Sequence, residues 1–248
     1  MPWDFFLIFA VLGIILPWRG LRRLEWLLRV PTVGASERIR LYLSTIAFQW
    51  TASAVVFWRA RSRGLTLEQL GLAHPSDLWY LAGAAVGACL LGALHWANLR
   101  RIGSSEHVKA EKLRAIGVRI FPQSRAELVP YCVLALTAGV CEEFLYRGFS
   151  MAAMNRAGLP GWAVLVLSSI LFGLAHIYQG RSGFLGTLAL GTVFAAARIA
   201  YDSIVPMMFW HAAVDLVAGL AGPKYILRRK QNETTETGSR GRRPGNSN

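Results

Sequence analysis

Two adjacent glutamates stand inside an apolar segment, where a charged side chain is costly. Residues 128–149 read LVPYCVLALTAGVCEEFLYRGF, and Glu142 and Glu143 are the acids within them. On a helix, Arg147 lies one turn after Glu143, in the order that favours an ion pair, whereas Glu142 has no such partner. A carboxylate without a counter-charge in a poorly hydrated place is a candidate general base.

Two further residue pairs follow, each of which contains a histidine, and the members of each pair are four residues apart, on one face of a helix. Phe172 and His176 lie in LFGLAHIYQG, and His211 and Asp215 lie in FWHAAVDL. Ionisable residues in separate apolar segments usually face the interior of a helix bundle and meet there. Together with Glu142 they could supply a general base, a second proton-handling group and hydrogen-bond donors for a developing oxyanion.

The composition places these residues in a membrane protein. The chain has 248 residues, of which 54% are hydrophobic and 17% charged, and its mean hydropathy is +0.36. A net charge of +13 could indicate nucleic-acid binding, but the basic residues stand between and after apolar runs, as they do in cytoplasmic membrane loops. The expected partner is therefore the lipid bilayer and not nucleic acid. The three cysteines lack C-x-x-C spacing, so the pattern favours neither a disulfide framework nor a zinc finger.

Seven apolar segments follow one another along the chain, each near the length that a hydrocarbon core of ~30 Å requires of a helix. They predict an all-α fold, a polytopic transmembrane helix bundle of about seven spans. A capping-box spacing in GLTLEQLGLAHP adds one short interfacial helix ending near Gly71. The segments are approximately Trp3–Trp18, Leu41–Trp58, Leu78–Ala97, Leu128–Tyr146, Gly161–Ile177, Phe184–Ala200 and Ile204–Ala221.

The basic residues also predict orientation and domain limits. Arginine and lysine concentrate between the first two segments, between the third and fourth, and after Pro223. These regions should be cytoplasmic, which predicts a multi-pass integral membrane protein, in the cytoplasmic membrane if the source is bacterial, with a cytoplasmic tail. We expect membrane spans and basic loops over residues 1–127, a catalytic core over 128–222 and a disordered basic tail over 223–248.

In order, the motifs E-E-x-x-x-R, F-x-x-x-H and H-x-x-x-[N/D] resemble those of the CPBP family of intramembrane glutamic endopeptidases. That family includes type II CAAX prenyl proteases and bacteriocin-processing members, and the resemblance covers roughly residues 128 to 220. Each motif alone fixes only two or three positions. Three of them in order on successive apolar segments of one chain are specific.

The resemblance implies a cofactor-free endopeptidase whose site lies in a membrane-embedded cavity. Its substrate would be a peptide or protein, which could be lipidated or membrane-anchored. By this likeness Glu142 and His176 would activate a water, while His211 and Asp215 would hold the carbonyl oxygen as it becomes an oxyanion. The family often has Asn at the last of these positions, and an ionised Asp215 can only accept hydrogen bonds.

Three residues would support the site without taking part in the chemistry. The resemblance assigns Glu143 and Arg147 to fixing the helix, and it places Phe172 on the same face as His176. No metal ligand is assigned by the likeness.

Two other classes of function stay open. Glu142, His176 and His211 have the composition of a two-histidine, one-carboxylate catalytic zinc site, which would make a metal-dependent intramembrane hydrolase, although no H-E-x-x-H stands on one helix. A membrane chaperone, immunity protein or scaffold could have the same fold without turnover.

Overall fold

The computed structural model describes residues 1–73, 78–104 and 108–227, and within these residues the secondary structure is helical without strands. The predicted all-α class is confirmed. The main helices are α1 Trp3–Arg29, α2 Ala35–Ser62, α3 Leu78–Ser104, α4 Val108–Ile120, α5 Arg125–Arg156, α6 Gly161–Ala175, α7 Gly180–Tyr201 and α8 Val205–Gly222.

Six helices of the described chain are long and apolar enough to cross a membrane, and α6, with 15 residues, is a shorter apolar helix. Every one of the seven predicted segments is thus helical. Large apolar side chains cover the outside of the bundle, among them Ile14, which is 69% exposed, and Leu94, which is 67% exposed. Such a surface suits lipid and not water, so the protein is a polytopic bundle.

The basic region between the first two predicted segments was expected to be a loop, but most of it is helical. α1 continues to Arg29 instead of ending at Trp18. A wide π-helical turn, Val11–Ile15, precedes Pro17, and this local widening lets the helix pass a proline whose missing N–H would otherwise break it. Beyond the proline the helix is amphipathic, and it buries Leu24 against the bundle while Arg22 and Arg29 remain outside.

The predicted interfacial helix before Gly71 is wrong. The capping-box bonds do form, from Thr66 N–H to Gln69 Oε1 at 2.9 Å and from Gln69 N–H to Thr66 Oγ1 at 3.2 Å. Leu65 and Leu70 are both fully buried, as the pattern requires. The segment is nevertheless a single hydrogen-bonded turn, because the chain reverses at Gly71 with φ +69° before a second turn can form.

α5 carries the paired glutamates near its middle. Its 32 residues continue ten residues beyond the predicted segment end at Tyr146 and stop before Gly158, which has φ +80°. A π-helical turn, Phe144–Ser150, begins directly after the glutamates. A π-turn adds a residue to the helical turn and re-aims the side chains that follow, and such turns are frequent at functional sites.

The remaining helices surround α5. α8 packs against α3 and α5, α2 packs along α5, and α6 packs against α7. The largest buried cluster forms around the π-turn of α5, where Phe149 meets Phe5 of α1 edge to face. After α8 a further π-helical turn covers Pro223–Leu227, where the tail was predicted to begin, and tail residues 228–248 lie outside the described residues.

Candidate active site

Glu142 on α5 faces His176, the residue that follows the last turn of α6. Oε2 of Glu142 lies 3.8 Å from Nε2 of His176, and the two side chains are 18% and 15% exposed. Nδ1 of His176 lies 2.9 Å from the backbone oxygen of Phe172, which can only accept, so Nδ1 carries a proton and donates it. In the neutral ring Nε2 is therefore an acceptor directed towards Glu142.

Gln49 is a site residue that sequence patterns did not indicate. It lies on α2, and its Nε2 donates to Oε1 of Glu142 at 2.7 Å. Glu142 is therefore not without a partner, although that partner is a neutral amide. The sequence signal was a single amide in the run LYLSTIAFQWTASAVVF, with no charged residue or second amide to give it a meaningful spacing.

Glu143 and Arg147 form an ion pair that is fully buried. Nη1 of Arg147 donates to Oε1 of Glu143 at 2.9 Å, and Nη2 donates to the backbone oxygen of Gly191 at 3.1 Å. The guanidinium stacks on Phe172, 4.2 Å from its ring centre, with Phe194 at 5.4 Å. The predicted pairing at one helical turn is present, and it also ties α5 to α7.

His211 on α8 contacts the second glutamate and not the first. Its Nδ1 lies 2.8 Å from Oε1 of Glu143, and its ring is 6% exposed. The carboxylate of Glu143 is the counter-charge of Arg147 and accepts hydrogen bonds, so Nδ1 is the donor of this bond. Nε2 on the other side of the ring lies 3.6 Å from Oδ2 of Asp215, slightly beyond hydrogen-bond distance.

A glycine permits this contact between α5 and α8. A Cβ atom at Gly139 would stand 2.7 Å from the backbone oxygen of Met208 and 3.0 Å from the Cβ of Ala212. Gly139 lies one turn before Glu143, and the two residues that it approaches flank His211 in sequence. The absence of a side chain therefore lets the two backbones come close enough for the glutamate and the histidine to bond.

Phe172 lies between the two histidines. Its ring centre is 4.7 Å from that of His176 and 5.7 Å from that of His211, the latter at an interplanar angle of 88°. The structure thus brings every residue singled out by the motifs into one constellation, in which this ring fixes the relative positions of both imidazoles. The residues are Glu142, Glu143, Arg147, Phe172, His176, His211 and Asp215.

A cavity of about 280 Å³ opens beside Glu142 and His176, both of which line it. His211 and Asp215 are not among the lining residues. Much of the wall is apolar, and the polar side chains in it include Gln49. Glu142 is thus the acid that a ligand in this cavity can reach.

Part of the chain, including the paired glutamates and both histidines, matches a known family model. Residues 124–217 match the family model described as type II CAAX prenyl endopeptidase Rce1-like. Over this segment the chain matches the Rce1-like family. The resemblance expected from the motifs is confirmed, and it supports an integral multi-pass membrane protein that is, in general terms, an intramembrane protease of the CAAX type. No curated protein and no solved structure matches the chain.

The Rce1-like segment does not contain the whole constellation. It holds both glutamates, both histidines and Asp215, whereas Gln49 precedes it on α2. The cavity is lined by residues of α1 and α2 as well as by residues of the segment. The N-terminal helices thus contribute to the wall of the cavity beside Glu142, although they precede the matched segment.

The directions of the two histidine rings bear on the alternative of a metal-dependent hydrolase. Within the described ranges, no group of three histidine, cysteine or carboxylate side chains is arranged to hold a metal ion. His211 directs Nδ1 to Glu143, whereas His176 directs Nε2 to Glu142, so the two imidazoles address different carboxylates. The donor set of Glu142, His176 and His211 does not converge as tetrahedral zinc ligands do.

Proposed function

We propose that this protein is an intramembrane endopeptidase in which Glu142 activates a water for attack on a peptide bond. The observation that supports this most directly is the pair of acceptors facing each other at the cavity wall. Oε2 of Glu142 is buried and has no hydrogen-bond partner among the described residues, and Nε2 of His176 lies 3.8 Å away. Two acceptors at that separation can each accept one O–H of a single water molecule.

A water held in this way is oriented for attack. With both O–H bonds donated to Glu142 and His176, the lone pairs of the oxygen are directed away from the two acceptors and into the cavity. As the oxygen forms a bond to the carbonyl carbon, one proton passes to the carboxylate. Gln49 holds the other carboxylate oxygen, so the acid cannot rotate away from the water.

The attack leaves a negative charge on the former carbonyl oxygen, and His211 is the group suited to stabilise it. Because Nδ1 already donates to Glu143, the ring can donate through Nε2 only when it carries both protons. The buried negative charge of Glu143 stabilises that doubly protonated ring. Asp215, 3.6 Å from Nε2, would add a second donor when it is protonated.

The intermediate then collapses. The proton taken up by Glu142 passes to the amide nitrogen, the C–N bond breaks, and one carboxyl and one amine terminus are formed. The hydrolysis consumes one water and needs no cofactor. A peptide or protein with a prenyl or other lipid anchor would suit a site buried among membrane helices, in keeping with the matched family's description.

A reconstituted cleavage assay tests this proposal. Purified protein is incubated with a quenched fluorescent, farnesylated peptide of the CAAX type, and Glu142→Gln should remove cleavage while the melting temperature stays near that of the wild type. Glu25→Gln is the matched control, because Glu25 is 54% exposed in its side chain and lies outside the cavity lining. Undiminished cleavage by purified Glu142→Gln would refute the mechanism.

A further inference from the structure

Four arginines gather at the end of the bundle where α1 begins and α2 ends. Nε of Arg59 donates to Oδ2 of Asp4 at 2.9 Å, and Nε of Arg63 donates to the same oxygen at 3.2 Å. Nη1 of Arg156, the last residue of α5, donates to the backbone oxygen of Arg63 at 2.6 Å. Nη1 of Arg61 donates to the backbone oxygen four residues further along the chain, also at 2.6 Å. The protein thus holds all four guanidiniums, and we call this group the arginine cluster.

The arginine cluster has a surplus of positive charge. Asp4 pairs with two of its members, and Glu68 is near enough to Arg61 to interact with it electrostatically. Among the described residues, no carboxylate is within ion-pair distance of Arg61 or Arg156. Four cations thus interact with two carboxylates, which leaves a net charge of +2. Both arginines that lack an ion pair have exposed side chains with further N–H groups to donate.

Exposed tryptophans surround the arginine cluster. Trp3 at the start of α1 is 68% exposed, Trp58 near the end of α2 is 64% exposed, and Trp162 at the start of α6 is 73% exposed. The guanidinium of Arg59 lies over the ring of Trp58, 5.1 Å from its centre. Tryptophans exposed at the ends of apolar helices mark the level of the lipid headgroups. The arginine cluster therefore lies at the depth of the lipid phosphates.

The arginine cluster is separate from the candidate active site. Arg156 follows Glu142 by 14 residues on α5, which is roughly 20 Å along the helix. None of the four arginines is among the described residues that line the cavity. The orientation predicted from the basic regions places this end of the bundle on the non-cytoplasmic side, where arginine is not favoured as a topology signal. The surplus charge there calls for a counter-charge from outside the chain.

We propose that Arg61, Arg63 and Arg156 bind the phosphate of an anionic phospholipid headgroup. Planar guanidiniums bind phosphate oxygens through paired N–H groups. An anionic headgroup is favoured over a zwitterionic one, because a choline or ethanolamine group would add a cation to a site with surplus positive charge. The acyl chains would lie along the apolar surface of α2, where Val55 is 52% exposed and Phe57 is 38% exposed. The inference does not depend on the proposed peptidase function.

Lipid binding to the purified full-length protein tests the proposal. The protein in a non-ionic detergent is titrated with dioleoylphosphatidylglycerol or dioleoylphosphatidylcholine, and bound lipid is counted by native mass spectrometry. The wild type should retain phosphatidylglycerol at the lower concentration. Arg156→Gln should raise its Kd about fivefold, and the double variant with Arg61→Gln about twenty-five-fold, whereas Arg156→Lys should retain most of the affinity. Equal affinity of the wild type for the two lipids would overturn the proposal.

Arg125→Gln is the matched control. It removes the same charge from an exposed position on the same helix, but at the opposite end of α5. Its Kd for phosphatidylglycerol should equal that of the wild type. If Arg125→Gln weakens binding as much as Arg156→Gln does, the lipid responds to overall charge and the assignment is wrong. Melting temperatures of all variants show whether each is folded, and the comparison of the two lipids on the wild type decides the matter without any variant.

Two further measurements locate the site and identify its ligand. A phosphatidylglycerol with a photoreactive group near its headgroup should cross-link to peptides that contain Trp58 or Trp162. Cross-links confined to the basic residues at the other end of the bundle would refute the assignment. Inorganic phosphate at millimolar concentration should not displace the lipid. If it does, and if it binds to the wild type but not to the double variant, the arginine cluster takes free phosphate and the lipid assignment is wrong.

Discussion

Nδ1 of His211 and Oε1 of Glu143 are 2.8 Å apart, although 68 residues separate them in sequence. The same carboxylate oxygen accepts from Arg147 at 2.9 Å. Glu143 thus has two roles, neutralising a buried guanidinium and fixing which nitrogen of His211 carries a proton. The two adjacent acids therefore have different positions. Glu142 faces the cavity, and Glu143 holds the imidazole of His211.

Glu143→Gln should impair both stability and turnover. Removing one partner of a buried ion pair costs about 3–5 kcal/mol, so thermal unfolding should occur at a markedly lower temperature. In the proposed mechanism, kcat should also fall by roughly 10²–10³, because His211 loses the group that orients it and stabilises its doubly protonated form. Melting curves and steady-state kinetics on the same preparation separate the two effects. A variant with a lower melting temperature but unchanged kcat would show that Glu143 serves the fold alone.

Gly139→Ala should reduce activity through backbone displacement. The new Cβ would stand 2.7 Å from the backbone oxygen of Met208, so α8 must move and carry His211 away from Glu143. We expect a lower melting temperature and a kcat reduced at least tenfold, since small misplacements of catalytic groups are costly. Gly186→Ala is the matched control, because a Cβ at Gly186 meets no atom within 4 Å. Equal activity of both variants would contradict the role of the close approach.

The spans and the paired acids could be predicted from local patterns, because apolar length and i,i+4 spacing are properties of single helices. The bond from His211 to Glu143 could not, because it depends on how α5 and α8 pack. Gln49 was missed for the same reason, as a lone amide has no partner on its own helix. The helical course of residues 19–29 was missed because arginines were interpreted as a loop, while Leu24 buries the other face.

The metal alternative predicts a different response to chelators. In the proposed mechanism the water is activated by Glu142 and His176 without a Lewis acid, so cleavage should persist after dialysis against EDTA or phenanthroline. A metal-dependent hydrolase would lose activity and regain it on addition of zinc. Metal analysis of the purified protein before and after dialysis is the control for complete removal.

The basic regions predict the orientation of the bundle. A reporter fused after Lys230 should be cytoplasmic, and one inserted in the short connection at Tyr201–Ser203, between α7 and α8, should lie on the opposite side. Protease protection of the two fusions in closed vesicles measures on which side of the membrane each reporter lies. Finding both reporters on one side would contradict the prediction that α8 crosses the membrane and leaves a cytoplasmic tail.

Asp215→Asn distinguishes two roles for the acid beside His211. Oδ2 of Asp215 lies 3.6 Å from Nε2 of His211, near enough to act on the same oxyanion when protonated, or to accept from the ring when ionised. We expect the first case, because the related motif often has an amide at this position. Asn should then retain activity and remove the fall in rate that loss of the Asp215 proton causes at higher pH.

The ionised case gives the opposite result. An aspartate that only accepts from His211 would be replaced poorly by Asn, and kcat should fall by about 10²–10³ at every pH. Profiles of kcat against pH for the wild type and Asp215→Asn, measured on preparations with equal melting temperatures, decide between the roles. Asp215→Leu is the control for the loss of any polar group, and it should be inactive in both cases. A folded but uniformly inactive Asn variant would therefore exclude Asp215 as a donor to the oxyanion.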